Sequence, residues 1–135
     1  MTVIAYRDGI MAADSMMELE DGHYTTSVKL LNEHKLVSRK GYLVGIAGGS
    51  CPPESELIDW LIEGGQFPIS AYQFEVLVVK PNGGIALIVH TGETTIIKDK
   101  FFAIGAGAEY AMGAMEMGAS AVRAVKAAIK WCPSC

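Results

Sequence analysis

The most constraining feature of the sequence is a hairpin signal a few residues from its start. Asp8-Gly9 separates two short apolar runs, residues 2–7 and 10–15. An Asp-Gly pair tolerates the positive φ angles of a tight two-residue turn, and the flanking runs then pair as antiparallel strands. Because chain ends usually fray unless a sheet holds them, the pattern predicts a strand that begins almost at the first residue.

Short apolar runs and turn signals continue along the chain. Residues 16–24 are polar and acidic, which predicts a loop, followed by a short strand near 25–31. Further strands are predicted at 35–39, 42–46, 74–80, 85–90, 94–98 and 101–104, the first two joined by Lys40-Gly41.

Two regions have helical patterns. Residues 54–63 follow a Pro-Pro pair and end at Gly64-Gly65, which are typical boundaries of a helix. From residue 108 the pattern is helical again, with a break near 118–119 and Ser120 placed as the N-cap of a helix at 121–131. This order of elements predicts one α+β domain over residues 1–135, in which two sheets pack together under helices.

Composition excludes several classes of partner. The 135 residues carry 11 basic and 15 acidic side chains with no basic run, which argues against binding to nucleic acid or to an anionic membrane surface. No stretch approaches the roughly 20 apolar residues of a membrane span, and no signal peptide is recognisable at the start. We therefore expect a cytoplasmic protein.

The three cysteines suggest reduced thiols rather than a disulfide framework, because their number is odd and no secretory signal precedes them. Cys132 and Cys135 have a spacing that suits a metal or redox pair. One such pair supplies only half of a four-ligand zinc site, so we interpret this segment as a frayed tail.

Thr2 is a candidate nucleophile. Methionine before a small residue is normally removed, and removal of Met1 would leave a hydroxyl and a free amine on the same residue. A threonine hydroxyl needs a base, and an α-amine, with a reference pKa of about 7.7–8.0, can act as one at neutral pH. From this residue alone, an ordinary β-branched strand residue is the more economical interpretation.

The wider pattern resembles the β-type subunits of the proteasome family, and within it the HslV-type peptidases. The matching pieces are residues 2–15 (TVIAYRDGIMAADS), 28–30 (VKL), 43–50 (LVGIAGGS) and 102–111 (FAIGAGAEYA). The resemblance implies a four-layer α-β-β-α fold of the N-terminal-nucleophile (Ntn) hydrolases. It also implies a shortened C-terminus, since the family continues into further strands, and such a length suits a compact phage or prophage version.

The resemblance also implies roles for four residues. Thr2 matches the catalytic threonine, Lys29 the lysine that keeps the terminal amine neutral by charge repulsion, and Asp14 the aspartate that supports this lysine. Gly45 matches the loop whose backbone N–H stabilises the oxyanion. Ala106 departs from the pattern, because the family commonly has a serine there.

The implied activity is that of a threonine peptidase subunit, which needs no metal or organic cofactor and acts on polypeptides. Implied partners are further copies in a homo-oligomeric ring, in two stacked rings, and an ATP-dependent unfoldase. Two alternatives stay open, a proteasome-like scaffold without activity and an Ntn amidase that acts on small molecules.

Overall fold

The computed structural model describes residues 3–14, 17–20, 23–26, 36–48, 54–67 and 73–132, with the backbone alone at 17–20, 23–26 and 54–55. Its elements form two antiparallel five-stranded sheets and three helices.

The first sheet, sheet A, contains the first and the last strand of the described chain. Its strands are β1 (Val3–Arg7), β2 (Ile10–Ala13), β3 (Met17–Glu20), β4 (His23–Thr26) and β10 (Phe101–Gly105), in the order β10-β1-β2-β3-β4. Asp8 and Gly9 have φ angles of 51° and 82°, the conformation that the Asp-Gly signal predicts. The N-terminal hairpin is therefore confirmed, and β1 is an interior strand.

One prediction in this sheet is wrong. Residues 17–20, inside the predicted loop, form β3, which pairs with both β2 and β4. The polarity of the segment masked a period-two alternation, in which Met17 and Leu19 alternate with Glu18 and Glu20. The strand predicted near 25–31 overlaps β4 only at Thr25 and Thr26, and its remaining residues lie outside the described ranges.

The second sheet, sheet B, follows the chain order without a crossover. Its strands are β5 (Leu36–Arg39), β6 (Tyr42–Gly48), β7 (Phe74–Val79), β8 (Ile85–Val89) and β9 (Thr94–Ile97), in the order β5-β6-β7-β8-β9. Lys40 and Gly41 repeat the turn geometry of the first hairpin, with φ angles of 50° and 82°. The predicted strands of this region are confirmed to within one or two residues at each end.

The three helices also lie where the sequence predicts them. They are α1 (Glu54–Glu63), α2 (Ala108–Glu116) and α3 (Ala121–Trp131). Ser120 caps α3, because its hydroxyl oxygen accepts a hydrogen bond of 3.2 Å from the Arg123 N–H. None of the helices within the described ranges combines the length and the apolar character that a bilayer crossing demands.

Successive side chains of each strand point to opposite faces of its sheet, and the apolar side chains on both faces arrange the protein in four layers. On β1, Ile4 and Tyr6 pack between the two sheets, whereas Val3 and Ala5 pack against α2 and α3. On β7, Leu77 and Val79 join the layer between the sheets, and Val76 and Val78 join Leu57 and Ile58 of α1 in a third cluster, on the far side of sheet B. The order is α2 and α3, sheet A, sheet B, then α1, which confirms the predicted α-β-β-α sandwich.

Arg7 fastens the helix layer to sheet A. Its guanidinium donates hydrogen bonds to the carbonyl oxygens of Met115 and Ala119, and it stacks on the Phe101 ring at 4.9 Å. Met115 lies in the last turn of α2, where carbonyl groups lack helical partners and the helix dipole favours a cation. The contact joins residues more than 100 positions apart.

We expect Arg7→Ala to lower the free energy of unfolding by about 1.5–3 kcal/mol, because it removes charge-assisted hydrogen bonds to a helix end. Arg39→Ala is the matched control, since its partly exposed ion pair with Asp59, at 2.7 Å, should contribute about 1 kcal/mol or less. Urea unfolding of both variants measures the difference. Equal losses would contradict the role assigned to Arg7.

Candidate functional site

Asp14 lies directly after β2 and is buried, with 8% of its surface exposed. Its backbone N–H donates to the Val3 carbonyl oxygen at 3.0 Å, and its Oδ1 accepts from the Val3 N–H at 3.2 Å. One residue therefore holds both backbone polar groups of Val3. Among the described residues, Asp14 is also the single polar or charged residue classed as buried, which marks this end of the sheet as unusual.

The other predicted catalytic side chains, Thr2 and Lys29, lie outside the described residues. Their roles stay predictions. The described chain begins at Val3, whose nitrogen belongs to the peptide bond with residue 2.

The end of β10 lies beside the start of β1, because Gly105 faces Val3 in the strand register. Ala106 follows on an exposed turn before α2. The structure thus brings three features together where the strands of sheet A end. They are the start of β1, the Asp14 carboxylate and the turn where the family commonly has a serine.

Cys132 packs beneath this turn. It is 6% exposed, and its thiol donates to the Ala106 carbonyl oxygen at 3.8 Å. The interpretation of residues 132–135 as a frayed tail is therefore wrong at its first residue, because the end of α3 packs back against the turn. Cys135 lies outside the described residues.

Gly45 lies in the middle of β6, between Leu36 on β5 and Leu77 on β7. A Cβ at this position would lie 2.7 Å from Ile4 Cγ2 and 3.1 Å from Met11 Sδ. Glycine is therefore required where the two sheets approach each other. Its N–H points towards a neighbouring strand, as in any interior strand, so the predicted oxyanion contact stays a prediction.

Gly48, at the end of the same strand, belongs to the glycine run behind Gly45 in the matched piece 43–50, and no separate role was predicted for it. It is exposed and has a φ of 129°, and a Cβ there would lie 2.7 Å from Phe74 Cα. Only glycine fits this combination of backbone angle and close contact. The signal was present in the run Ala47-Gly48-Gly49, which ends a strand with two glycines.

Comparison with known proteins identifies the fold. No protein-family model matches the chain, and no curated protein matches it significantly. Solved structures do match, among them two of BPH from Thiobacillus denitrificans and one of eukaryotic HslV from Trypanosoma brucei.

The likeness extends over nearly the whole chain. BPH in complex with epoxomicin matches with a TM-score of 0.56 and 20% identity, over 96% of this chain and 90% of the other. The second BPH structure matches with a TM-score of 0.57 and 19% identity, over 96% and 89% of the two chains. HslV matches with a TM-score of 0.55 and 14% identity, over 99% and 91%.

These structural matches establish the fold. At identities this low, the chemistry has to be argued from the residues of the site. Two antiparallel sheets between helix layers, with a buried aspartate beside the start of the first strand, accord with the resemblance found in the sequence. The chain has the fold of HslV and BPH, as the resemblance in the sequence implied.

Proposed function

We propose that this protein is a threonine peptidase in which Thr2, after removal of Met1, attacks a peptide carbonyl. The observation that carries the proposal is the hydrogen bond from the Val3 N–H to the buried Asp14 carboxylate. It supports the proposal because burial of a charge costs free energy unless partners compensate it, and this charge lies beside the peptide bond that joins Val3 to the proposed nucleophile.

Covalent geometry limits how far this charge can be from Thr2. Two bond lengths separate Val3 N from the Cα of residue 2, so these atoms are at most about 2.9 Å apart. With 3.2 Å between Val3 N and Asp14 Oδ1, the carboxylate lies within about 6 Å of that Cα. At such a distance a carboxylate can influence the charge state of the groups around Thr2.

The proposed reaction proceeds in two stages. The Thr2 hydroxyl adds to the carbonyl carbon while the α-amine of the same residue takes the hydroxyl proton, and that proton then passes to the leaving amine. An acyl-enzyme ester results, which water hydrolyses with the amine again acting as base. Lys29, supported by Asp14, would keep the α-amine neutral by charge repulsion.

The oxyanion is proposed to be bound by backbone N–H groups of the glycine-containing segment that starts at Gly45. Among the described residues 45–48 of this segment, Gly48 is exposed, whereas Gly45 is buried between the sheets. Ala106 lacks the hydroxyl that the family commonly has at this turn, so the amine must act without that help.

We further propose that residues 1–135 form one domain of a cytoplasmic ring-forming subunit that acts on polypeptides, in two stacked rings. An ATP-dependent unfoldase would deliver these polypeptides, because a chamber formed by such rings admits only unfolded chains.

Intact-mass analysis and covalent labelling test the nucleophile. The mature protein should lack Met1, and a peptide epoxyketone should add to Thr2, because its ketone and epoxide can react with a hydroxyl and an amine on one residue. Peptidase activity should fall to background in Thr2→Ala and in chains that retain Met1. Thr25→Ala is the matched control and should keep full labelling and activity.

The two alternatives give different outcomes in the same experiment. Retention of Met1 in every preparation would favour the scaffold without activity. A processed, labelled chain that cleaves small amides and no peptides would favour the amidase. A processed chain in which Thr2 stays unlabelled would contradict the proposed peptidase activity.

A further inference from the structure

The outer edge of β10 is open. In the order of sheet A, β10 is an end strand and pairs with β1 alone among the strands that the structure describes. Its sequence, FFAIG, contains no charge and no proline, the features with which proteins commonly protect an edge strand from further pairing. An edge of this kind is a template on which another extended chain can form a strand.

The strand register shows which backbone groups face this edge. Val3 directs its N–H and C=O groups to Asp14, on the β2 side of β1. Because these groups alternate in direction along a strand, Ile4 directs its own to β10, where it pairs with Ile104. The same alternation leaves the N–H and C=O groups of three β10 residues pointing away from β1. They are Phe101, Ala103 and Gly105.

Ala103 makes this edge unusual. Only 4% of its surface is exposed, because its side chain packs in the cluster between sheet A and the helices α2 and α3. Its outward N–H and C=O groups nevertheless form no hydrogen bond within the described ranges. Backbone groups that are shielded from water and lack a partner are rare, because they cost free energy. A strand paired with β10 would remove that cost.

A surface for the side chains of such a strand lies on sheet B. The strands of sheet A pack mainly over β5, β6 and β7, so β8 and β9 extend past β10. Leu87 on β8 and Ile97 on β9 face the layer between the sheets, yet both are only half-buried. We call these two residues the β8–β9 shelf.

A strand added to β10 would fit both surfaces. At the usual spacing of about 4.8 Å from β10 it would lie about 10 Å from sheet B, over the shelf. Every second side chain would then point at the shelf, which suits apolar residues at alternate positions. The turn before β10 carries Lys98, Asp99 and Lys100, all exposed and without an ion pair to any described residue. Its net positive charge favours an acidic residue at that end of the added strand.

We propose that the β10 edge and the β8–β9 shelf bind an extended segment of the polypeptide substrate as a sixth strand of sheet A. The inference rests on the proposed peptidase function, because an unfolded polypeptide offers free backbone groups along its whole length. Sheet A is antiparallel throughout, so the segment runs antiparallel to β10 and begins at its Gly105 end. That end lies beside Val3, and hence beside the proposed nucleophile.

This direction places the bound segment after the cleaved bond. A sixth strand lies two strand spacings, about 9.6 Å, from β1, a distance that about three extended residues span. Five further residues would pair with the five residues of β10. Substrates should therefore bind best with about eight or more residues on the carboxyl side of the cleaved bond.

Direct binding is measured on the full-length chain with Thr2→Ala, which cannot cleave its ligand. The probe is a fluorescein-labelled peptide of nine residues, with alternating threonine and valine and an aspartate at its carboxyl end. We expect saturable binding by fluorescence anisotropy. Methylation of single backbone nitrogens should weaken binding by roughly tenfold at alternate residues of the paired part and very little at the residues between them, because only alternate N–H groups face β10.

Two neighbouring residues of β9 test the shelf. Ile97→Thr keeps a β-branched residue but removes apolar contact, and it should weaken binding by roughly fivefold. Ile96→Thr is the matched control, since Ile96 points to the opposite face of β9 and is 62% exposed. This control should leave the dissociation constant unchanged.

Kinetics of the processed, active chain test the link to catalysis. Peptides with nine residues after the cleaved bond should have a KM roughly tenfold below that of peptides with three, with kcat unchanged, because the edge holds substrate and transition state equally. Ile97→Thr should remove most of this difference.

Three outcomes would overturn the proposal. The probe could fail to bind, the methylation effects could lack alternation, or Ile97→Thr and Ile96→Thr could weaken binding equally. Failure of the edge is distinguishable from failure of the peptidase function, since a chain that cleaves peptides without binding the probe would contradict only the edge. A processed chain that binds the probe and cleaves nothing would contradict the role of Thr2.

Discussion

Replacing Gly45 with alanine is expected to lower the free energy of unfolding by roughly 2–3 kcal/mol, the upper part of the range for overpacked cores. The added methyl group would lie 2.7 Å from Ile4 Cγ2, 3.1 Å from Met11 Sδ and 3.2 Å from Ile4 Cδ1. Gly45 is paired on both sides within sheet B, so its strand cannot move away without breaking a ladder. Either the two sheets separate locally or the Ile4 side chain leaves its rotamer.

Gly113→Ala is the matched control for this substitution, because it adds the same methyl group at a regular helical position with open space around it. It should be neutral or stabilising. Urea unfolding of the two single variants, of Ile4→Ala and of Gly45→Ala with Ile4→Ala would show the cause. We expect the loss of unfolding free energy in the double variant to be smaller than the sum of the losses in the two single variants by about 1 kcal/mol or more. Simple additivity would refute the steric explanation.

Asp14→Asn is expected to reduce kcat/KM by roughly 10–100-fold, which corresponds to about 1.4–2.7 kcal/mol of lost charge interaction at the site. Asparagine keeps an oxygen that can accept the hydrogen bond from the Val3 N–H, so the N-terminal hairpin should stay in place. The variant therefore separates the charge of Asp14 from its structural contact.

Asp14→Ala should add a loss of stability, about 1–3 kcal/mol, because the buried Val3 N–H would lose the carboxylate oxygen. Asp8→Asn is the control for removal of a negative charge nearby in sequence, since the Asp8 side chain is 85% exposed. Asp8→Asn should change neither kcat/KM nor the free energy of unfolding appreciably. Peptide hydrolysis by the processed chain and urea unfolding provide the two measurements. Full activity in Asp14→Asn would contradict the proposed electrostatic role.

The site illustrates what could be predicted from the sequence and what could not. Thr2, Asp14 and Lys29 were named from a resemblance carried by four short segments. Neither that resemblance nor the residues indicated that Asp14 binds the backbone of Val3. The sequence also assigned Gly45 to catalysis alone, because no local pattern indicates that a strand glycine faces an isoleucine of the other sheet.

Local rules determined the elements of this protein. Asp8-Gly9 and Lys40-Gly41 specify their hairpins because few residue pairs tolerate two consecutive positive φ angles, and Ser120 starts α3 because its hydroxyl satisfies a helical N–H. The loop predicted at residues 16–24 failed for the opposite reason. Residues 17–20 within this range form β3 because β2 and β4 supply ladder partners on both sides, which composition cannot reveal.

Only the tertiary structure decided which distant residues meet. The contact of Arg7 with Met115 spans 108 positions, and that of Gly45 with Ile4 joins different sheets. Such contacts depend on how layers stack, which follows from the summed burial of many side chains rather than from any one of them. Secondary structure could be predicted because backbone sterics act between neighbouring residues. The surroundings of Asp14 could not, because they form only when the sheets pack.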